Sequence, residues 1–208
     1  MRLRLHYKAA RAAGVITSQA TATMGLITKF DAAERQLIQA IRLFFREEDS
    51  VSIHTLSEAA SQILYDIGKD IGAHSMFRDS DRIREDKRKE FLAILFKSRN
   101  FFKHADRDKN EKHEFKDEFN DFSLIEAINL HSTIKKMWIP ETIAFHLWFG
   151  LNWSHLLVAN TEYSAFIENL KAGRPKPFKN EKSLFNEVID NFRSGRTVAQ
   201  NVTLAAGL

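Results

Sequence analysis

The sequence predicts an all-α protein, and two observations carry that reading. Its 208 residues hold only 8 glycines and 3 prolines against 17 phenylalanines, too few turn residues for an all-β protein or for an α/β protein built on phosphate loops. From Thr28 onward, apolar residues recur at three- and four-residue intervals, the period of amphipathic helices. The length suits one domain, and 44% hydrophobic residues are enough for a sizeable core. Cysteine is absent, which excludes disulfide scaffolds, thiolate metal sites, iron–sulfur clusters and cysteine nucleophiles together.

Residues 1–27 read as a basic, poorly ordered extension. Their acid-free, Ala-, Thr- and Arg-rich composition also resembles an import presequence, and Met24 offers an alternative start. No continuous apolar run of seven or more follows the basic residues, so no secretory signal is expected and a cytoplasmic location is. The net charge of +4 arises in residues 1–29: Arg2, Arg4, Lys8, Arg11 and Lys29 stand there without an acid, and the remaining chain carries 26 basic against 27 acidic residues. Global charge therefore says little about partners, and a basic site has to be argued locally.

The predicted single helical domain spans residues 28–195, with a tail at 196–208. Asp31 is the expected N-cap of a first helix buried through Leu37, Ile38, Ile41, Phe44 and Phe45. A second helix starts at Ser50 or Ser52, with Ile53, Leu56, Ala60, Ile63, Leu64 and Ile67 as its stripe, before Gly68 and Gly72 weaken it. A third is predicted from about Ser80 to Ala105, charged at first and then apolar along Phe91, Leu95, Ser98, Phe102 and Ala105. Beyond the polar stretch Asp106 to Asp117, helical patterns cover about Ser123 to Met137, Pro140 to Leu170 and Ser183 to Arg193, with Pro140 suited to a first turn. Trp138 to Val158 is apolar almost all round, yet Glu141, His146, Asn152, Ser154 and His155 would be costly in lipid. A central buried helix or a subunit interface is expected there, and no membrane span.

The segment most informative about function is Ser98-Arg99-Asn100-Phe101-Phe102-Lys103-His104-Ala105. It resembles the motif of HEPN domains, a helical family with many prokaryotic toxin and antiviral ribonucleases: an Arg, a polar residue directly after it, and a His separated from the Arg by four to six residues. Arg99, Asn100 and His104 match those positions, and the resemblance covers about residues 28–150. It implies an antiparallel helical bundle with additional C-terminal helices, a homodimer, RNA as substrate, a possible antitoxin partner, and endoribonuclease chemistry without metal or other cofactor. Position 103, often small or apolar in the family, is Lys103 here; together with Arg107 it is a candidate phosphate contact.

The residue types suit that chemistry. Cleaving RNA through its 2′-hydroxyl needs proton transfer near neutral pH, which a histidine supplies, and a cation for the charge gathering on the phosphoryl oxygens, which an arginine's planar fork supplies. On an ideal helix, however, Arg99 and His104 point about 140° apart, whereas Asn100 and His104 stack at i and i+4. The family joins motifs from two chains, and Leu92 and Phe96, on the Arg99 side, offer a second apolar face for such a partner. The rival reading keeps Arg99 as an ion-pairing residue and His104 as a cation at a helix C-terminus, on a non-catalytic binding or regulatory module.

Other constellations are weaker. Arg107, Asp108 and His113 repeat the Arg–His pattern, but in the polar stretch. Asp106, Asp108 and Asn110 begin like a calcium loop, but Glu111 replaces the required Gly and Asp117 the required Glu. His104, Asp106, Asp108 and His113 read as a solvated linker before they read as a metal site. Arg78, Arg82, Arg84, Lys87, Arg88 and Lys89 interleave with Asp79, Asp81, Glu85, Asp86 and Glu90, the pattern of a solvated, ion-paired helix. His54, His131, His146 and His155 are expected to be structural.

Overall fold

The computed structural model describes residues 25–81, 83–106, 109–173 and 181–196. Among these it is all-α, with eight α-helices: α1 (Lys29–Phe45), α2 (Ser50–Gly68), α3 (Glu85–Leu95), α4 (Lys97–Lys103), α5 (Phe119–Lys135), α6 (Pro140–Asn152), α7 (Glu162–Ala172) and α8 (Leu184–Arg193). Nearly all of the basic extension and of the tail lies outside the described residues.

Helix α1 begins one turn earlier than Asp31 suggested. Thr28 is the N-cap and Asp31 the reciprocal partner three residues on: Asp31 N donates to Thr28 Oγ1 (3.1 Å) and Thr28 N to Asp31 Oδ2 (2.9 Å). The five predicted core residues of α1 are all buried. In α2 the Asp49 side chain caps Ser52 N at 2.7 Å.

Side-chain pairs give the helix directions. Glu34 near the start of α1 meets His131 and Lys135 near the end of α5, so these two run antiparallel. His54 meets Asn120, and Glu58 meets Ser123, so α2 and α5 run parallel. Two adjacent parallel helices cannot be joined by a tight turn; the chain must travel back along the bundle first. Residues 69–118 make that return and carry α3 and α4, which lie over the α2–α5 seam.

The predicted third helix is divided. Phe96 adopts φ −95°, ψ 9°, between the α and β regions, and separates α3 from α4. Its N–H still reaches Leu92 O and its carbonyl still accepts from Asn100 N, both at 3.0 Å, so the break is a kink. Phe96 is half-buried, and its ring packs against the guanidiniums of Arg78 (4.8 Å) and Arg99 (4.0 Å). The polar stretch is anchored as well, by Ser98 Oγ to His113 Nε2 (2.8 Å) and by Phe115 against the rings of His54 (4.9 Å) and Phe102 (5.1 Å).

Pro140 occupies the first turn of α6 as expected, but the helix ends at Asn152, not Leu170. Asn152 turns its side chain back to Trp148 O (2.8 Å), Asn160 takes a left-handed φ of 60°, and Thr161 caps a separate α7 by accepting from Ser164 N (3.0 Å). Phe44, Phe45, Phe145 and Trp148 form the aromatic centre between α1 and α6, and Phe185 of α8 stacks on Phe45 (5.3 Å). Buried Glu141 ties α6 to α1 through Arg42 (2.9 Å) and to α8 through Arg193. No helix is long and apolar enough to cross a membrane among the described residues.

Candidate functional site

The Arg99–His104 segment divides between two environments. Arg99 is half-buried and turned toward α2, where Nη1 donates to Gln62 Oε1 (3.0 Å) and the guanidinium lies 4.0 Å over the Phe96 ring. Burial pulls its pKa below the ordinary arginine value; Glu58 opposes that shift and Arg78 adds to it. Asn100 and Lys103 are exposed in the last turns of α4. His104, also exposed, is the C-cap: its N–H reaches Asn100 O (3.1 Å) while its extended backbone (φ −132°, ψ 134°) leaves the helix. Asn100, Lys103 and His104 thus share one solvent-facing edge, and Arg99 faces the interior instead. Arg107 lies outside the described residues, as does Asp108. No group of three or more His, Asp or Glu side chains in metal-holding geometry occurs among the described residues.

Behind Arg99 the structure gathers a polar cluster that the linear pattern does not reveal. A cavity of about 150 Å³ lies between α2, α5 and the α3–α4 kink. His54, Glu58 and Ser61 come to it from α2, Ser123 and Glu126 from α5, and Arg78 from the connection before α3. Arg78, expected on a solvated helix, is only 8% exposed because Glu126 and Ser61 receive it: Nη1 is 3.2 Å from Glu126 Oε1 and 3.1 Å from Ser61 Oγ. Glu126 also accepts from Met76 N (3.0 Å) and from Ser75 Oγ, which clamps the connection onto α5. Elsewhere in that run Arg84 pairs with Asp86, Lys87 with Glu90 and Arg88 with Glu85, and Arg88, only 24% exposed, also donates to Arg78 O (2.8 Å) and Ser80 O (3.1 Å); Arg82 lies outside the described residues.

Two groups of the cluster, Glu126 and His54, are shifted by their burial. Burial raises the Glu126 pKa, against the pull of Ser75, Arg78 and the Met76 amide. Burial lowers that of His54, against Glu58 and Asn120, which keeps the ring neutral at pH 7. Asn120 Nδ2 donates to Ser50 O (3.0 Å), which fixes Oδ1 as the group facing His54 Nδ1 at 3.1 Å. The proton is therefore on Nδ1, and Nε2 presents a lone pair. Ser123 Oγ donates to Glu58 Oε1 at 2.7 Å. Three buried atoms of this cluster have no hydrogen-bond partner among the described residues: His54 Nε2, Glu58 Oε2 and Arg78 Nη2.

A sequence signal for this site exists. His54, Ser57, Glu58 and Ser61 form a polar ladder at three- and four-residue spacing within α2, beside its apolar stripe; Ser123 and Glu126 do the same in α5. All six are buried. Compared with protein-family models, curated proteins and solved structures, the chain matches none.

Proposed function

We propose that the chain is a metal-independent endoribonuclease of HEPN type that acts as a homodimer, and that the exposed end of α4 is its catalytic edge. The observation supporting this reading is the shared edge of Asn100, Lys103 and His104, one turn apart and open to a large polymer, with Arg99 held in place beside it by Gln62 and Phe96. His104 accepts the 2′-hydroxyl proton and returns one to the departing 5′-oxygen, Lys103 holds a neighbouring phosphate, and Asn100 orients the imidazole one turn above it. Arg99 stabilises the phosphoryl charge. Because Arg99 and His104 diverge within one chain, the complete set is assembled from two copies. A toxin or antiviral role, with an antitoxin partner, follows from the same reading.

A second reading has an observation of its own. The Arg99 fork is already engaged by Gln62 and Phe96, as in a non-catalytic binding module whose arginine serves packing.

Incubating the pure protein with RNA separates the two. Replacing His104 or Arg99 by alanine is expected to slow cleavage by roughly two orders of magnitude or more, with Asn100→Ala costing less and a 2′,3′-cyclic phosphate as product. Chelators should leave the rate unchanged. Cleavage that persists in both His104→Ala and Arg99→Ala, or that disappears with EDTA, refutes the mechanism; no cleavage by the wild-type dimer leaves the binding module.

A further inference from the structure

The cavity behind α4 lies under a helix that has little core of its own. No residue of α3 is fully buried, and its apolar half, Phe91 to Leu95, is only partly covered. Beneath it the wall is overwhelmingly apolar: Phe91 and Leu95 of α3, Phe96 at the kink, Phe77 from the connection before α3, and Phe119 and Phe122 of α5. The neighbouring polar side chains are turned on one another, Arg78 to Glu126 and Ser61, Ser123 to Glu58, and His54 to Asn120. Their unpartnered atoms are sealed from solvent and offer nothing to a molecule in the space.

Wall chemistry and volume together select the occupant. A bound water needs about two to four polar partners, which a wall of this kind does not supply. An ion would lose its hydration where the nearby charges, Arg78 and Glu126, already hold each other. An engineered apolar cavity of about 150 Å³ stays dry and admits benzene; this one measures about 150 Å³, so one six-membered ring fits. Five phenylalanines in the wall favour an aromatic ring over an aliphatic one, through edge-on and offset-stacked contacts. Ile94 (70% exposed) and Phe119 (48%) line the same space and mark its mouth.

We propose that this cavity binds a small uncharged molecule of one aromatic ring, and that the ring supplies α3 with the buried contacts it otherwise lacks. An empty apolar space forfeits dispersion contacts along its whole lining, and a ring seated there restores them on the α3 side and the α5 side together. The site is separate from RNA cleavage, since Asn100, Lys103 and His104 do not line it.

Titration of the full chain with benzene, read by thermal unfolding and by amide hydrogen exchange, tests this. Expected are a rise of the unfolding midpoint that saturates with benzene concentration, and slower exchange along α3. Benzoate should bind at least roughly tenfold more weakly, because its charge finds no counterpart on the wall, and cyclohexane, without a π-face, roughly two- to tenfold more weakly. Leu95→Phe, which extends a ring from α3 into the space, should weaken benzene at least roughly tenfold while the far-UV circular dichroism stays unchanged. Where that variant does not fold, Ile94→Trp at the exposed mouth replaces it, with the same expectation. The proposal is overturned if benzene up to its solubility leaves the midpoint or the exchange of α3 unchanged, if benzoate or cyclohexane binds as tightly, or if the folded variant keeps the wild-type affinity.

Discussion

Replacing Glu126 by alanine should be among the most damaging single changes in this protein. The carboxylate is 3% exposed at the side chain and receives Arg78 Nη1 (3.2 Å), Met76 N (3.0 Å) and Ser75 Oγ. Without it, Arg78 keeps Ser61 Oγ and the faces of Tyr65 (4.9 Å) and Phe96 (4.8 Å), none of which carries a compensating charge. Removing one member of a buried ion pair typically costs about 3–5 kcal/mol, and an orphaned Met76 N–H adds roughly 1–3 kcal/mol. The better helix propensity of alanine returns only about 0.5 kcal/mol, and water entering the adjacent cavity offsets part of the rest, so a net loss of about 3–5 kcal/mol is expected. Urea unfolding at neutral pH, with the free energy extrapolated from the transition, measures it. The double change Arg78→Met with Glu126→Met removes both charges and should recover most of the loss, because neither ion is left unpaired. A cost below about 1 kcal/mol for Glu126→Ala, or a double variant as unstable as the two single losses added, would refute the argument that this pair holds the connection before α3 onto α5.

Gly150→Ala in α6 should destabilise by about 1–2 kcal/mol despite alanine's better helix propensity, since the new Cβ would stand 2.4 Å from Tyr163 Oη and 2.9 Å from Ile167 Cδ1. Tyr163→Phe, which removes the clashing oxygen, should restore part of the lost midpoint, and a neutral or stabilising Gly150→Ala would show that α7 does not seat there. Acidification should weaken the fold: burial holds the pKa values of His54 and His131 below 6.5, so below that pH the unfolded chain takes up protons first. Each contributes at most about 1.4 kcal/mol per pH unit, and denaturant unfolding at pH 7.5 and 5.5 should differ by roughly 1–3 kcal/mol; an unchanged free energy contradicts buried neutral rings. Glu126, whose pKa burial raises, acts in the opposite sense, because there the folded chain takes up the proton first. Sedimentation at micromolar concentration should give a dimer, and a stable monomer would remove the two-copy catalytic site.

The amino-acid sequence by itself determined that the chain is helical and where much of its core lies. Leu37, Ile41, Phe44 and Phe45 were legible because amphipathic periodicity is a local property, set by one helix facing one interior. The starts of α2, α6 and α8 were legible for a similar reason, through a hydroxyl residue or a proline at or beside the first turn. The motif Arg99–Asn100–His104 was visible as a spacing, but its division into an inward arginine and an outward histidine follows from the packing of α4 on α2.

Only the tertiary structure decided the rest. The setting of the Phe96 ring involves two guanidiniums, Arg78 from the connection before α3 and Arg99 from α4, and no local window of sequence shows that both close on it. The burial of Arg78 likewise depends on Glu126, 48 residues away. Its own neighbours, Asp79 and Asp81, read as solvent-exposed charge. A charged residue's location is set by whichever counter-charge the fold brings to it, whereas an apolar residue needs only an interior of any kind.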